Sequence, residues 1–452
     1  MKVVITKSRR RFVISSIALA FSKLVRAAVI DSDSPSGIPK KVFAHYMVAW
    51  PRGGPEASLD SYQAEFRDAH SRGIDGFALN CGGWDASEPQ YKRRVLQMYD
   101  AASKLDFDFK LFVSADGEAQ NEIEDIISTT AELPAQLISD GRPVVSAYAA
   151  GGTSVANREL LIQKVKKLGA YFVPHFFPST GEKQIYPAQA EEIIAELANA
   201  KGFFYFGSAG APQLLAASIN ALSKVLRVHG KVFMASVTPY YRGLRSGTNY
   251  RAFETYGYSG MALEWQAAID SGANWVQIVT WNDWAESTYV APIGGSDGRA
   301  YVYARRFGNL PSHLGYLDAS AFFICWFKTG IKPQISADKL YYFYRLHPIV
   351  GASDGTNNVG DATPPASTSP LSSQIQVTVF LKQPATVSII LPSRTTKYNV
   401  PAGIAHLSAD FAPGRPRFTV ERHETVIIDK IGEQEITLND FSGEYNYFSG
   451  ES

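Results

Sequence analysis

The chain has 452 residues, beyond the roughly 250–300 at which a single hydrophobic core stops growing, so two domains are expected. Hydrophobic residues make up 45% and charged residues 19%, a balance that excludes an intrinsically disordered protein, and aromatics reach 12%. A formal net charge of +1 without a basic stripe excludes nucleic acid and anionic membrane as expected partners.

The first 28 residues read as a leader rather than as part of the fold. Ser8, Arg9, Arg10, Arg11 and Phe12 open a short apolar stretch that ends at Phe21. Lys23 and Arg26 follow, then the small pair Ala27 and Ala28. The stretch is too short to span a bilayer. It resembles a bacterial twin-arginine export signal, so a periplasmic or secreted monomer without a stable membrane anchor is expected; a basic surface helix is the alternative. The leader holds seven Lys and Arg and no Asp or Glu, and its removal leaves 37 basic against 43 acidic residues.

From Lys41 one pattern repeats. An apolar, β-branched or aromatic run ends in a polar residue or a turn, and an amphipathic helical stretch follows. The runs are KVFAHYMVAW (41–50), GIDGFALNC (73–81), FKLFVSAD (109–116), RPVVSAYA (142–149), AYFVPHFFP (170–178), KGFFYFGSA (201–209), KVFMASVTPY (231–240) and NWVQIVTW (274–281). Between them, segments such as YKRRVLQMYDAASKL and PAQAEEIIAELANA carry apolar residues at three- and four-residue steps. Near-continuous apolar strands alternating with helices mean a parallel sheet covered by helices. Eight units predict an α/β (β/α)8 TIM barrel over residues 39–349. An open doubly wound sheet is the alternative, but no G-x-G-x-x-G follows the first run.

A barrel places its site at the carboxyl ends of the strands. The residues there are His45, Tyr46 and Trp50, Asn80, Asp116, Tyr148, His175, Ser208, Thr238 and Tyr240, then Trp281, Asn282, Asp283, Trp284 and Glu286. Hydrogen-bonding groups interleave with aromatics, which suits a neutral, hydroxyl-rich polysaccharide substrate. No Lys and no phosphate-cradling glycine loop stands among them. His45, His175 and Asp116 lack any metal-ligand spacing, and neither a metal nor a cofactor is expected. Cys81 and Cys325 fit no disulfide framework.

The stretch WVQIVTWNDWAEST (275–288) sets Asp283 and Glu286 just past the last apolar run. Asp-x-x-Glu can be a capping box, but Pro292, Gly294, Gly295 and Gly298 break any helix that would follow. The functional alternative is a carboxylate pair for glycoside cleavage, one protonated at the leaving oxygen and one ionised across the sugar. Spacing alone leaves inverting and retaining chemistry open. Glu286, with the longer stem and beyond Trp284, is expected to be the acid. Asp283, beside the Asn282 amide, is expected to be the base.

Residues 350–370, VGASDGTNNVGDATPPASTSP, read as a linker. The runs QIQVTVFL, ATVSIIL, RFTVERH, TVIIDKIG and EITLND then predict an antiparallel β-sandwich over 371–452. That region has no Trp, so packing against the barrel is a better expectation for it than sugar binding.

Several of these segments together resemble glycoside hydrolase family 71, the fungal α-1,3-glucanases called mutanases. They are VFAHYMV, GIDGFALNCG, FKLFVSAD, IVTWNDWAES, FKTG and YRLHP, in the family's order. The resemblance covers Lys41 to Pro348 and continues weakly beyond. It implies a barrel with a C-terminal β-sandwich that hydrolyses α-1,3-glucan with inversion. The family's catalytic carboxylates fall on Asp283 and Glu286, and cleft-lining positions fall on Asn80, Asp116 and His175. One departure stands at the sixth run, KGFFYFGSAGAP, with Lys201, Ser208 and Ala209, where the family usually shows an Asp before the Gly and a Trp-containing stretch later.

Overall fold

The computed structural model describes residues 37–178, 184–197, 199–243, 251–293, 302–308, 310–349, 370–438 and 445–452. The expected leader, and the expected linker except for Pro370, lie outside them.

Eight parallel strands form a curled sheet: β1 Lys41–Met47, β2 Gly76–Cys81, β3 Lys110–Ala115, β4 Arg142–Ala147, β5 Tyr171–Phe172, β6 Gly202–Phe204, β7 Val232–Val237 and β8 Trp275–Ile278. Their spatial order is β5-β4-β3-β2-β1-β8-β7-β6, with Ile138–Ser139 paired antiparallel to β4. All eight expected runs contain a strand, but the fifth and sixth are much shorter than their apolar stretches. Pro174 has no N–H to donate to a ladder. Two backbone hydrogen bonds still join these outermost strands, Lys201 N to Phe172 O at 3.0 Å and Phe204 N to Pro174 O at 2.9 Å.

Helices α1 Leu59–His70, α2 Pro89–Ser103, α3 Ile123–Thr130, α4 Val155–Lys167, α5 Pro187–Glu196, α6 Pro212–Val228, α7 Tyr258–Asp270 and α8 Leu314–Thr329 alternate with the strands. Their starts follow local chemistry. Ser58 and Ser154 cap α1 and α4 by accepting from Ser61 N and Asn157 N, and Pro stands at the first turn of α2, α5 and α6. Gly330, at φ +69°, takes the left-handed turn that stops α8.

Strand alternation sorts the sheet's two faces. Val42, Ala44 and Tyr46 join the main core under the helices. Phe43, Ala78, Phe112, Val144, Tyr171, Phe204, Met234 and Trp275 form a separate cluster on the other face. Two residues further along, in the same parity, stand His45, Asn80, Ser114, Ser146, Ser236 and Gln277, all buried and polar. The inner face is therefore apolar low in the strands and polar toward their carboxyl ends, which is where a site can form.

Eight antiparallel strands follow: β9 Lys339–Tyr344, β10 Gln374–Leu381, β11 Ala385–Leu391, β12 Arg394–Val400, β13 Gly403–Asp410, β14 Arg417–Arg422, β15 Thr425–Ile431 and β16 Phe448–Glu451. They make two four-stranded sheets, ordered β13-β10-β9-β16 and β12-β11-β14-β15. Leu340, Tyr342 and Tyr344 share an apolar cluster with Val387, Ile389 and Phe418 of the second sheet. The alternate residues Tyr341 and Phe343 belong to the core of the parallel-sheet body. β9 thus has one face in each core, and it precedes the segment expected to be the linker.

Candidate active site

The loop after β8 is pinned before it reaches the acids. Thr280 and Thr288 pair through Thr280 N to Thr288 O at 2.9 Å and through their hydroxyls at 3.0 Å. Trp281 donates its backbone N–H to His45 O and its indole N–H to Glu65 Oε2 at 2.7 Å. The Asn282 side chain accepts from Met47 N at 2.7 Å and donates to Met47 O and Trp50 O. The Trp284 indole N–H reaches the same Trp50 carbonyl at 3.0 Å. All three of these side chains are fully buried.

Between those anchors Asp283 and Glu286 stand on one turn. Asp283 N donates to Thr280 Oγ1 at 2.8 Å, and Glu286 N donates to Asp283 Oδ1 at 3.0 Å. Only half of a capping box forms, and residues 284–293 form no helix. Glu286 does not reach back; its Oε1 accepts from the Tyr241 hydroxyl at 3.0 Å. Ser287 turns the chain at φ +55°, a left-handed conformation that L residues rarely adopt.

Glu286 lines a cavity of about 300 Å³ with Tyr148, His175, Phe177, Phe206 and Arg251. Burial and then the Asp283 charge raise the Glu286 carboxyl to about 8, against weaker lowering by Tyr241 and Arg251. Burial raises Asp283 to about 6, opposed by the backbone N–H groups of Glu286 and Ala285. Glu286 is thus the weaker acid of the two. Neighbouring carboxyls whose surroundings push their acidities apart can divide acid and base work.

The remaining predicted residues divide into two groups. Asn80 donates to Asp116 Oδ2 at 3.3 Å; burial raises the Asp116 carboxyl, which borders an open hollow with Gln120, Asn121 and Asn157. His175 stacks on Tyr148 at 5.4 Å and has a buried Nε2 without a partner in the cavity wall. His45 bonds Gln277 at 2.7 Å, and burial lowers it to about 3, as it lowers His175; both are neutral. Among the described residues no cluster of three metal-ligating side chains occurs.

The others are not in the lining of that cavity and make their contacts elsewhere. Trp281, Asn282 and Trp284 spend their polar atoms on the anchors described above. The Trp50 ring packs edge-on against Tyr303 and Phe307 and under the Arg306 guanidinium at 4.1 Å. Tyr240 is fully buried, donates to Tyr445 O at 3.0 Å and so faces the C-terminal sheets. Its neighbour Tyr241 faces Glu286. Tyr241 and Arg251 were not singled out from the sequence. Tyr241 belongs to, and Arg251 adjoins, a pair of two-residue strands in which Arg242 pairs Ala252 and Tyr241 pairs Phe253, a motif too short to leave a strand pattern.

The family model described as "Glycosyl hydrolase family 71" matches residues 38–450. The chain is similar to "Mutanase Pc12g07500" of Penicillium rubens, 27% identical over 437 residues that cover 93% of this chain and 90% of that protein. It is also similar to "Glucan endo-1,3-alpha-glucosidase agn1" of Schizosaccharomyces pombe, 26% identical over 436 residues, covering 90% and 91%. Among solved structures, a GH99 endo-alpha-mannosidase from Bacteroides thetaiotaomicron aligns over 64% of this chain and 97% of its own, at 15% identity and a TM-score of 0.45. With the family match running nearly from the first described strand to the last, the chain belongs to glycosyl hydrolase family 71 and is a glycoside hydrolase.

Proposed function

We propose that the chain cleaves α-1,3-glucan internally and with inversion, on a closed (β/α)8 barrel carrying a C-terminal β-sandwich. The observation that carries the reading is the pair Asp283 and Glu286, held on one turn at the end of β8 with their acidities pushed apart. Glu286 protonates the leaving glycosidic oxygen. Asp283 takes a proton from the water that attacks the anomeric carbon from the opposite face. Asn80, Asp116 and His175 line the cleft and hold sugar hydroxyls. The linkage and the internal cleavage follow the names of the relatives, two of which are called endo-1,3-alpha-glucanases or glucosidases. The hydrogen bonds between β5 and β6 support closure of the barrel. The strand pairing of β9 supports a domain boundary near Gly330.

Incubation with insoluble α-1,3-glucan beside a panel of other glucans tests substrate and mode. Oligosaccharides with new β-anomeric reducing ends are expected from the α-1,3-glucan alone. No reducing sugar from any glucan would remove the reading. We further propose export through the twin-arginine route as a monomer. No helix among the described residues is long and apolar enough to cross a membrane. Replacing Arg9 and Arg10 with Lys is expected to leave folded, active protein in the cytoplasm; unchanged export would exclude that signal.

A further inference from the structure

Most of the seam between the parallel-sheet body and the C-terminal sheets is apolar. Tyr258 and Tyr316 of the helices meet Phe343 of β9 there. A fully buried ion pair also stands on it. Arg345, just past β9, and Glu254, just past the Tyr241–Phe253 hairpin, form an ion pair at 3.1 Å with both side chains at 0% exposure. Arg345 also donates to the Tyr240 hydroxyl at 3.2 Å and to the carbonyls of Tyr445 and Ser372. Glu254 is saturated as well: it accepts from the Tyr447 hydroxyl at 2.6 Å, Tyr256 N at 2.7 Å and Ser372 N at 2.7 Å.

Tyr240 precedes the hairpin and Glu254 follows it. Arg345 therefore grips both ends of the short element whose other face carries Tyr241 and Arg251 to Glu286. Neighbouring side chains on extended backbone point to opposite sides, so Tyr240 and Tyr241 act as the two ends of one lever. Adhesion between domains needs no charge, and an apolar substitute for a buried ion pair usually holds as well or better. What a saturated polar cluster adds is a unique geometry.

We propose that the C-terminal sheets are part of the active site's working structure, with Arg345, Glu254, Tyr240 and Tyr447 as positioning residues that set Tyr241 and Arg251 against Glu286. This rests on the reading of Glu286 as the proton donor. The groups that face Glu286 are Asp283 on its own turn, Tyr241 and Arg251 from the hairpin, and Tyr148 and His175 across the cavity. Of these, Tyr241 and Arg251 favour the carboxylate, so loosening the hairpin makes Glu286 a weaker acid.

The variants are Tyr241→Phe, Tyr240→Phe, Tyr240→Phe with Tyr241→Phe, and the charge-neutral pair Arg345→Met with Glu254→Gln. Each is compared with the native enzyme for kcat, KM and the pH profile on glucan, and for the pH titration of the Glu286 carboxyl by 13C NMR. Tyr240→Phe and the Arg345/Glu254 pair are expected to lower kcat about tenfold, with KM little changed. The alkaline limb and the Glu286 titration should move upward by about half a pH unit. The double tyrosine variant should lose less than the product of the two single losses, because Tyr240 acts in part through the Tyr241 contact. Losses that multiply, or losses without movement of the limb and the titration, would overturn the proposal. If the Arg345/Glu254 pair fails to fold, Tyr240→Phe, which removes one hydroxyl, decides by itself. A native protein inactive on every glucan would refute the proposed function, yet the NMR titration would still decide whether the clamp acts on Glu286.

Discussion

Asp283 and Glu286 differ by one methylene and three positions, yet their surroundings divide them. Asp283 Oδ1 accepts a backbone N–H, whereas Glu286 faces the cavity with the Asp283 charge behind it. With the ionising base at about 6 and the acid at about 8, activity should follow a bell in pH with its plateau between those values. A substrate with a very good leaving group needs little protonation. On it, Glu286→Gln should retain far more activity than on glucan, while Asp283→Asn should lose roughly 100-fold or more on both. Added azide should rescue the Asp283 variant, since a small anion needs no base to attack. Both variants keeping near-normal activity on glucan would reduce the pair to a turn motif.

The last strand and its loop show what the sequence displays and what it hides. WVQIVTW reads as a strand because β-branched residues fill it, and the acids beyond it are legible as a pair. The neighbouring indoles are ambiguous in the sequence, because an aromatic beside an acid has the same pattern whether it stacks on a sugar or donates its N–H inside the protein. Only the tertiary positions of Glu65 and Trp50 decide. Tyr240 and Tyr241 differ by one step of strand parity, which an irregular strand end does not let the sequence count. Similarly, KLYYFY (339–344) lies inside the span expected for the barrel, and its pairing with Gln374–Leu381 is a long-range choice. Asn282 is the anchor with the most at stake in this element. Asn282→Ala removes the bond to Met47 N, at roughly 1–3 kcal/mol for a buried group left unpaired, while Met47 O and Trp50 O keep the Trp50 N and Trp284 indole donors. The loop then loses its registration on β1. Activity should fall by at least about tenfold, well beyond what the lost stability explains, because native enzyme remains the main species. A variant with full kcat and a lowered melting temperature would make Asn282 structural only.

For the whole molecule, several buried carboxyls without a cationic partner at hydrogen-bond distance share one direction. Burial, then Asp283, raises Glu286 to about 8; burial raises Asp283 to about 6. At the seam, burial, then Asp318, raises Glu451 of β16 to about 7. Burial also raises Glu65 and Glu264. Each raised acid binds its proton more tightly folded than unfolded. Its contribution is complete below the ordinary carboxyl range near 4–4.5 and is lost as pH rises through the folded value. Other acids run the opposite way. Hydrogen bonds to Arg422 hold Asp338 low, and the Arg345 charge and hydrogen bonds hold Glu254 low against burial, so their contributions vanish only as pH falls through the carboxyl range. Stability should therefore peak near pH 5 and decline toward pH 8, which differential scanning calorimetry across that range measures. Glu451→Gln should flatten the decline between pH 5 and 7. Glu286→Gln should flatten it up to pH 8 and melt higher than the native enzyme there, while losing activity on glucan. That combination, stabilised and inactive, is expected only if the active site keeps Glu286 in a place that opposes its ionisation. A Glu286→Gln enzyme no more stable than the native one at pH 8 would show that the carboxyl titrates normally and that the proton donor must be sought elsewhere.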